Sequence, residues 1–223
     1  MKRLLLLSIA SVLFFATNAL ADATQNQRIS AAIGIIEQLK IDPDLNISRD
    51  ILKSAKAVAI IPNTVKSGFI FAGHEGKGIF SARQKDGHWS HPVFINFKGM
   101  SAGFQAGYQS TDLILIFRTE RSYQGFFDGK DMIDFTGDVS VVRGYKGAGM
   151  TDMPELSAEV FALGRSTGLF MGLSLEGSRI SIDDQSNIDY LGRIYAKTSD
   201  LLSAIPKDNG LSERLDLALI NHF

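Results

Sequence analysis

Apolar residues recur along this chain with two different periods. Between Asp22 and Lys40 they fall at Ile29, Ala32, Ile33, Ile36 and Leu39, the stripe of a helix with one buried face. Ile41-Asp-Pro-Asp44 breaks the pattern, and Ser48 is placed to cap a second helix running to about Lys56. At Ala57 the period changes. Ala57-Val-Ala-Ile-Ile-Pro62 predicts a short buried strand ended by proline, and strand-like runs follow at Gly68–Ala72, Gly78–Gln84, Trp89–Asn96, Gly99–Gln109 and Asp112–Arg118. Lys85-Asp86-Gly87-His88 predicts a hairpin turn, since Asp-Gly suits the positive φ that tight turns need. A short helix is predicted near Glu120–Phe127, closed by Asp128-Gly129, with strands again at Asp138–Arg143, Ala158–Gly164 and Leu169–Ile182. Helical sequence returns at about Ser186–Ala204. After the turn Ile205–Gly210, a last helix puts Leu211, Leu215 and Leu219 on one face.

Closely spaced strands with few helices between them predict an α+β fold. Its core would be a twisted antiparallel β-sheet or barrel-like structure over 57–182, flanked by N-terminal helices over 22–56 and C-terminal helices over 183–223. Residues 22–223 read as a single domain. The first 21 residues read differently: Lys2-Arg3, an apolar Leu4–Phe15 and Ala19-Leu20-Ala21 make a secretory signal peptide, with cleavage expected before Asp22. The expected localisation is therefore export, periplasmic (with or without membrane association) or secreted. Cleavage would take away Lys2 and Arg3 and move the formal charge from −1 to −3. A mildly acidic chain has no global attraction to nucleic acid, so any anionic partner must be met by a local patch. The absence of cysteine rules out disulfides and leaves stability to the core.

Two glycine-rich stretches share one spacing: Gly99, Gly103 and Gly107, then Gly164, Gly168 and Gly172. Each contains G-x-S-x-G, at Ser101 and at Ser166, the pattern of a hydrolase nucleophile elbow. An elbow needs strand, sharp turn and helix, with an acid and then a histidine downstream. Here more strand-like sequence follows each serine, and His74, His88 and His91 precede both. The preferred reading is packing, because glycines four apart leave one face of a strand bare for a neighbour to approach. No catalytic residue is assigned.

His88-Trp89-Ser90-His91 offers two histidines three apart. No third ligand stands at metal-site spacing, so surface histidines near a turn are preferred and neither a metal nor a cofactor is assigned. Trp89 beside Arg83 and Lys85 has two readings: an amphipathic ring at a membrane interface, or a half-buried strand tryptophan. Arg143-Gly-Tyr-Lys146-Gly-Ala-Gly149 likewise reads either as an anion-binding glycine loop or as a solvated turn. Together Arg83, Lys85, Trp89, Arg143 and Lys146 form a candidate lipid-binding patch. The N-terminal helix, with Arg28, Glu37 and Lys40 on its polar side, is nearly neutral and reads as a helix docked on the sheet.

Ala55–Pro62, Gly68-Phe-Ile-Phe-Ala-Gly73 and above all Gly168-Leu-Phe-Met-Gly-Leu-Ser-Leu-Glu-Gly-Ser178 resemble the SYLF domain family, over about Ile51 to Leu191. Many bacteria carry exported members. The resemblance implies non-catalytic lipid binding, of phosphoinositides in eukaryotic members, and actin contact in fungal ones. The basic N-terminal segment tied to lipid binding in eukaryotic members is not matched here. The expectation is an exported module that attaches peripherally to anionic phospholipid head groups, with head-group identity open. The alternative is a cell-envelope structural or protein-interaction module with a protein partner.

Overall fold

The computed structural model describes residues 24–39, 49–68, 71–102, 109–135, 140–141, 159–166, 169–172, 175, 177–207 and 210–223. The first helix, α1, spans residues 24–39 and buries Ile29, Ala32, Ile33, Ile35 and Ile36. The short α2 (Arg49–Lys53) follows, and the predicted cap Ser48 lies outside the described residues. Nine strands among the described residues form one curled, half-barrel-like sheet. They are β1 (Ala57–Gly68), β2 (Phe71–Ala82), β3 (Val93–Ala102), β4 (Gln109–Phe117), β5 (Met132–Phe135), β6 (Ser140–Val141), β7 (Val160–Ser166), β8 (Leu169–Gly172) and β9 (Ser178–Ile182). The order is β5-β9-β3-β2-β1-β4-β7-β6, with β8 also on β7; only β6 on β7 is parallel. Between β4 and β5, α3 (Arg121–Gly125) runs into a π-helical turn (Phe126–Lys130). After β9 come α4 (Asp184–Leu191), a 3-10 turn (Thr198–Ser203) and the terminal α5 (Gly210–His222). The α+β sheet with flanking helices is the fold expected from the sequence pattern.

The apolar run at 57–61 is buried on both sides. Val58 and Ile60 face α1 and α5, in a core with Ile79, Phe94, Ile114, Ile116, Phe161, Leu215 and Leu219. Ala57, Ala59 and Ile61 face the other way, into a core with Phe80, Phe117, Tyr123, Phe126, Phe127 and Ile180. A strand buried on both faces loses hydrophobic alternation, which is why this run is continuous. The second core is aromatic, with the Phe80 ring 5.2 to 5.9 Å from those of Phe117, Tyr123, Phe126 and Phe127.

Four boundaries described here differ from the sequence pattern. Pro62 does not end β1, which runs on to Gly68. The pairing register slips instead, between Ile61 and Thr64 against β4, with Asn63 at φ +50° and its amide bonded to the Asp112 carboxylate at 3.0 Å. A bulge of this kind is one of the few sheet positions where a missing N–H does no harm. The Gly68–Ala72 run straddles the end of β1 and the start of β2 rather than making a strand of its own. The predicted strand Leu169–Ile182 is two, β8 and β9, because Gly177 takes φ +75° and turns the chain before Ser178. The helical region expected at 186–204 is likewise divided at Gly192, φ +66°, whose amide bonds back to the Ile188 and Asp189 carbonyls.

Candidate functional site

Lys85, Asp86 and Gly87 form the predicted hairpin turn. The Gly87 amide donates to the Gln84 carbonyl, the Gln84 amide donates to that of His88, and Gly87 has φ +91°. The turn brings Arg83 opposite Trp89, where the guanidinium lies 4.9 Å from the indole centroid. Stacking there removes Arg83 from water, and burial pushes its pKa down. Trp89 is only 5 % exposed and packs edge-on against Phe223 at 5.9 Å. In this fold the indole is therefore a core side chain, and the membrane-interface reading of Trp89 gives way to the strand reading. Lys85 stands exposed at the tip of the turn. Arg143 and Lys146 lie outside the described residues, so of the five candidates the structure brings Arg83 and Trp89 into contact and leaves Lys85 in solvent.

The histidines on this hairpin seat the terminal helix. Asp216 of α5 accepts 2.7 Å hydrogen bonds from His88 Nδ1 and from the Trp89 amide. His91 Nδ1 and Ser212 Oγ share another, at 2.5 Å. The hydrogen bond to Asp216 and its charge raise the His88 pKa, whereas burial lowers that of His91. Among the described residues no group of three potential metal ligands occurs.

Both G-x-S-x-G serines lie in strands. Ser101 pairs with Ala72 across β3 and β2; Ser166 ends β7 and pairs with Leu169 of β8. Each sits in an antiparallel ladder, whereas a nucleophile elbow places its serine at a sharp strand-to-helix turn. Close packing does occur at Gly99, where a Cβ would lie 2.4 Å from Ser178 Oγ of β9. Gly103, Gly107 and Gly168 lie outside the described residues.

Arg28 is the polar residue that the helical pattern misplaced. Instead of facing solvent it forms a buried ion pair with Asp183, Nη1 to Oδ2 at 2.9 Å, and lies 5.6 Å from the Phe94 ring. Asp183 also caps α4, accepting from the Ser186 amide and hydroxyl. Burial alone would push this carboxyl up; the hydrogen bonds from Arg28 and Ser186 outweigh it and hold the pKa below its ordinary value. A signal existed in the sequence, because Arg28 stands four residues before Ala32, on the buried stripe.

A family model described as "Las17-binding protein actin regulator", Ysc84, matches residues 98–215. Residues of this chain are 39 % identical over 153 positions to LAS seventeen-binding protein 3 of Saccharomyces cerevisiae, covering 67 % of this chain and 33 % of that protein. Protein YSC84 of the same yeast is 38 % identical over 146 residues, covering 64 % and 31 %. The human SH3 domain-containing YSC84-like protein 1 is 36 % identical over 138 residues, covering 61 % and 40 %. The matched region thus spans a third to two fifths of the length of these curated relatives. With the family model covering more than half of the sequence, on a sheet whose serines stand in strands, the chain belongs to the Ysc84, or SYLF domain, family.

Proposed function

We propose that this chain is an exported, non-catalytic binding module that attaches peripherally to anionic phospholipid. The observation that carries the reading is membership of a family described by what it binds and regulates, and not by a reaction. Lipid as the ligand follows from the SYLF resemblance of Gly168–Ser178 and its companion stretches. Export, read from residues 1–21, would keep the chain from actin and make a membrane surface the accessible anionic partner. Where the side chains are described, both faces of the sheet are packed by the protein's own residues, which leaves loops and edges there for contact. Exposed cations such as Lys85 supply the attraction, each contributing about 1 kcal/mol near an anionic surface.

Co-sedimentation with anionic and neutral vesicles tests this. Binding to the anionic set alone, weakened by salt, is expected; absence of binding at low salt overturns the electrostatic mechanism. Sequencing the N-terminus of the protein recovered from its host should begin at Asp22 if export and cleavage occur. A second reading, docking to a protein, is favoured by relatives whose names record Las17 binding. Stoichiometric capture of one envelope protein in the absence of lipid would select it.

A further inference from the structure

We infer that His88 and His91 make the seat of α5 a pH-sensitive latch, tightest when His88 is charged and His91 neutral, and loosened from opposite sides by acid and by alkali. The latch works whatever ligand the protein takes.

Both histidines belong to the hairpin that follows β2, and both reach one face of α5. Ser212 and Asp216 stand four residues apart on that helix, so the hairpin grips it at two successive turns. Asp216 uses both carboxylate oxygens, Oδ1 on the Trp89 amide and Oδ2 on His88 Nδ1, each at 2.7 Å. One turn earlier, His91 Nδ1 lies 2.5 Å from Ser212 Oγ. Leu215 and Leu219 enter the core beside these polar contacts, and Phe223 packs on Trp89.

The two imidazoles sit in opposite settings. His88 has a side chain 62 % exposed, and the charges that bear on it are Asp216 of α5 and Asp86 of its own turn. Arg83 of the same hairpin is stacked on the Trp89 indole, and Lys85 stands in solvent at the tip. Protonated, His88 gives Asp216 a charge-assisted bond; neutral, its Nδ1–H tautomer keeps a bond and loses the charge. His91 is half-buried, against a Ser212 only 3 % exposed. Its neutral ring shares a hydrogen bond with the hydroxyl, whereas an imidazolium there must hold its charge partly away from water. Asp216 and Glu213 of α5 offset that cost only in part.

The bond from Asp216 and its charge therefore hold the His88 pKa above the ordinary value of about 6.5, and burial holds that of His91 below it. The His88 contribution is complete below about pH 6.5 and is lost as pH rises through its folded value. The His91 contribution is complete above about pH 6.5 and is lost as pH falls through its folded value. Only between the two folded values do both persist, so the seat is tightest near pH 6.5.

The test follows the full chain by nuclear magnetic resonance between pH 5 and pH 9. The His88 ring should titrate above about 6.5 and the His91 ring below it. Amide exchange in α5, corrected for intrinsic rates, should be slowest near pH 6.5, about two- to fivefold faster at pH 9, and faster again at pH 5 than at the optimum. His88→Gln should flatten the alkaline arm alone. His91→Asn, which can still bond Ser212, should flatten the acid arm alone. The latch is wrong if both rings in the parent titrate together, or if α5 protection is the same across the range. It is equally wrong if β1 and β4 lose protection in step with α5, because the pH dependence then belongs to the whole fold. The ring titrations need no variant, so a substitution that fails to fold leaves the test intact.

Discussion

Arg28 and Asp183 lie 155 positions apart, and their meeting shows how much one buried pair can fasten. Their side chains are about 10 % exposed, so removing Arg28 takes the main counter-charge from a poorly solvated Asp183, which keeps the Ser186 donors and the Lys77 ammonium at 3.9 Å. Arg28→Met should cost about 3 kcal/mol or more at neutral pH by urea denaturation. The pH dependence has a definite sign. Because the folded Asp183 pKa is depressed, the pair's contribution is complete above the unfolded carboxylate value of about 3.9 and disappears as pH falls through the folded one. The gap between parent and Arg28→Met should therefore narrow below about pH 4. Urea midpoints that keep the same gap across that range would show that Asp183 is not the titrating group. His88 carries the opposite sign. Its raised pKa means that its hold on Asp216 is present below about pH 6.5 and lost as pH rises through the folded value. Amides of α5 should exchange faster at pH 9 than at pH 6, after correction for intrinsic rates, and His88→Gln should remove most of that difference.

At the scale of elements, the glycines separate into those that a neighbour crowds and those that open space surrounds. A Cβ on Gly78 of β2 would lie 2.3 Å from the Ile60 carbonyl oxygen and 2.9 Å from the Ile61 Cα, both backbone atoms of β1 that cannot move alone. Gly78→Ala should destabilise by about 2–4 kcal/mol. Gly34, in the middle of α1, has nothing within 4 Å of its missing Cβ, so Gly34→Ala should stabilise by about 0.5–1 kcal/mol through helix propensity. Thermal melts of the two variants, shifted in opposite directions, check both. The spacing at 99–107 and 164–172 pointed to close approach, and Gly99 against Ser178 shows it. The tighter case at Gly78 carried no comparable mark, because a glycine opening a strand-like run says nothing of which backbone it faces until its partner strand is known.

Across the molecule, what the sequence revealed follows the range of the interaction behind it. Helix faces, the 84–88 turn and the antiparallel α+β plan depend on neighbours a few residues apart, and they were legible. Bulges and breaks were less so: Pro62 reads as an ending until β2 and β4 hold the strand past it. The candidate lipid patch was least legible, because basic residues in a string say nothing of which ones stack on an indole, as Arg83 does, and which stay in solvent, as Lys85 does. The exposure of Ile194 and Ile205 was invisible for the same reason. Each looks like any buried isoleucine until the fold covers its neighbours and leaves it out.

Trp89 is the sole tryptophan of the chain, and it is wedged between Arg83 and Phe223 beneath the end of α5. The molecule thus contains its own optical gauge. While α5 is seated the indole emits from dry surroundings, and lifting the helix wets it and moves the emission to the red. Leu219→Ala, which empties a fully buried site on α5 at a cost of about 2–5 kcal/mol, should bring that red shift at lower urea than in the parent. If it precedes the loss of far-ultraviolet circular dichroism, α5 detaches before the sheet opens; if the two coincide, helix and sheet come apart in one step. One intrinsic chromophore can thereby time the first event of unfolding without any added probe.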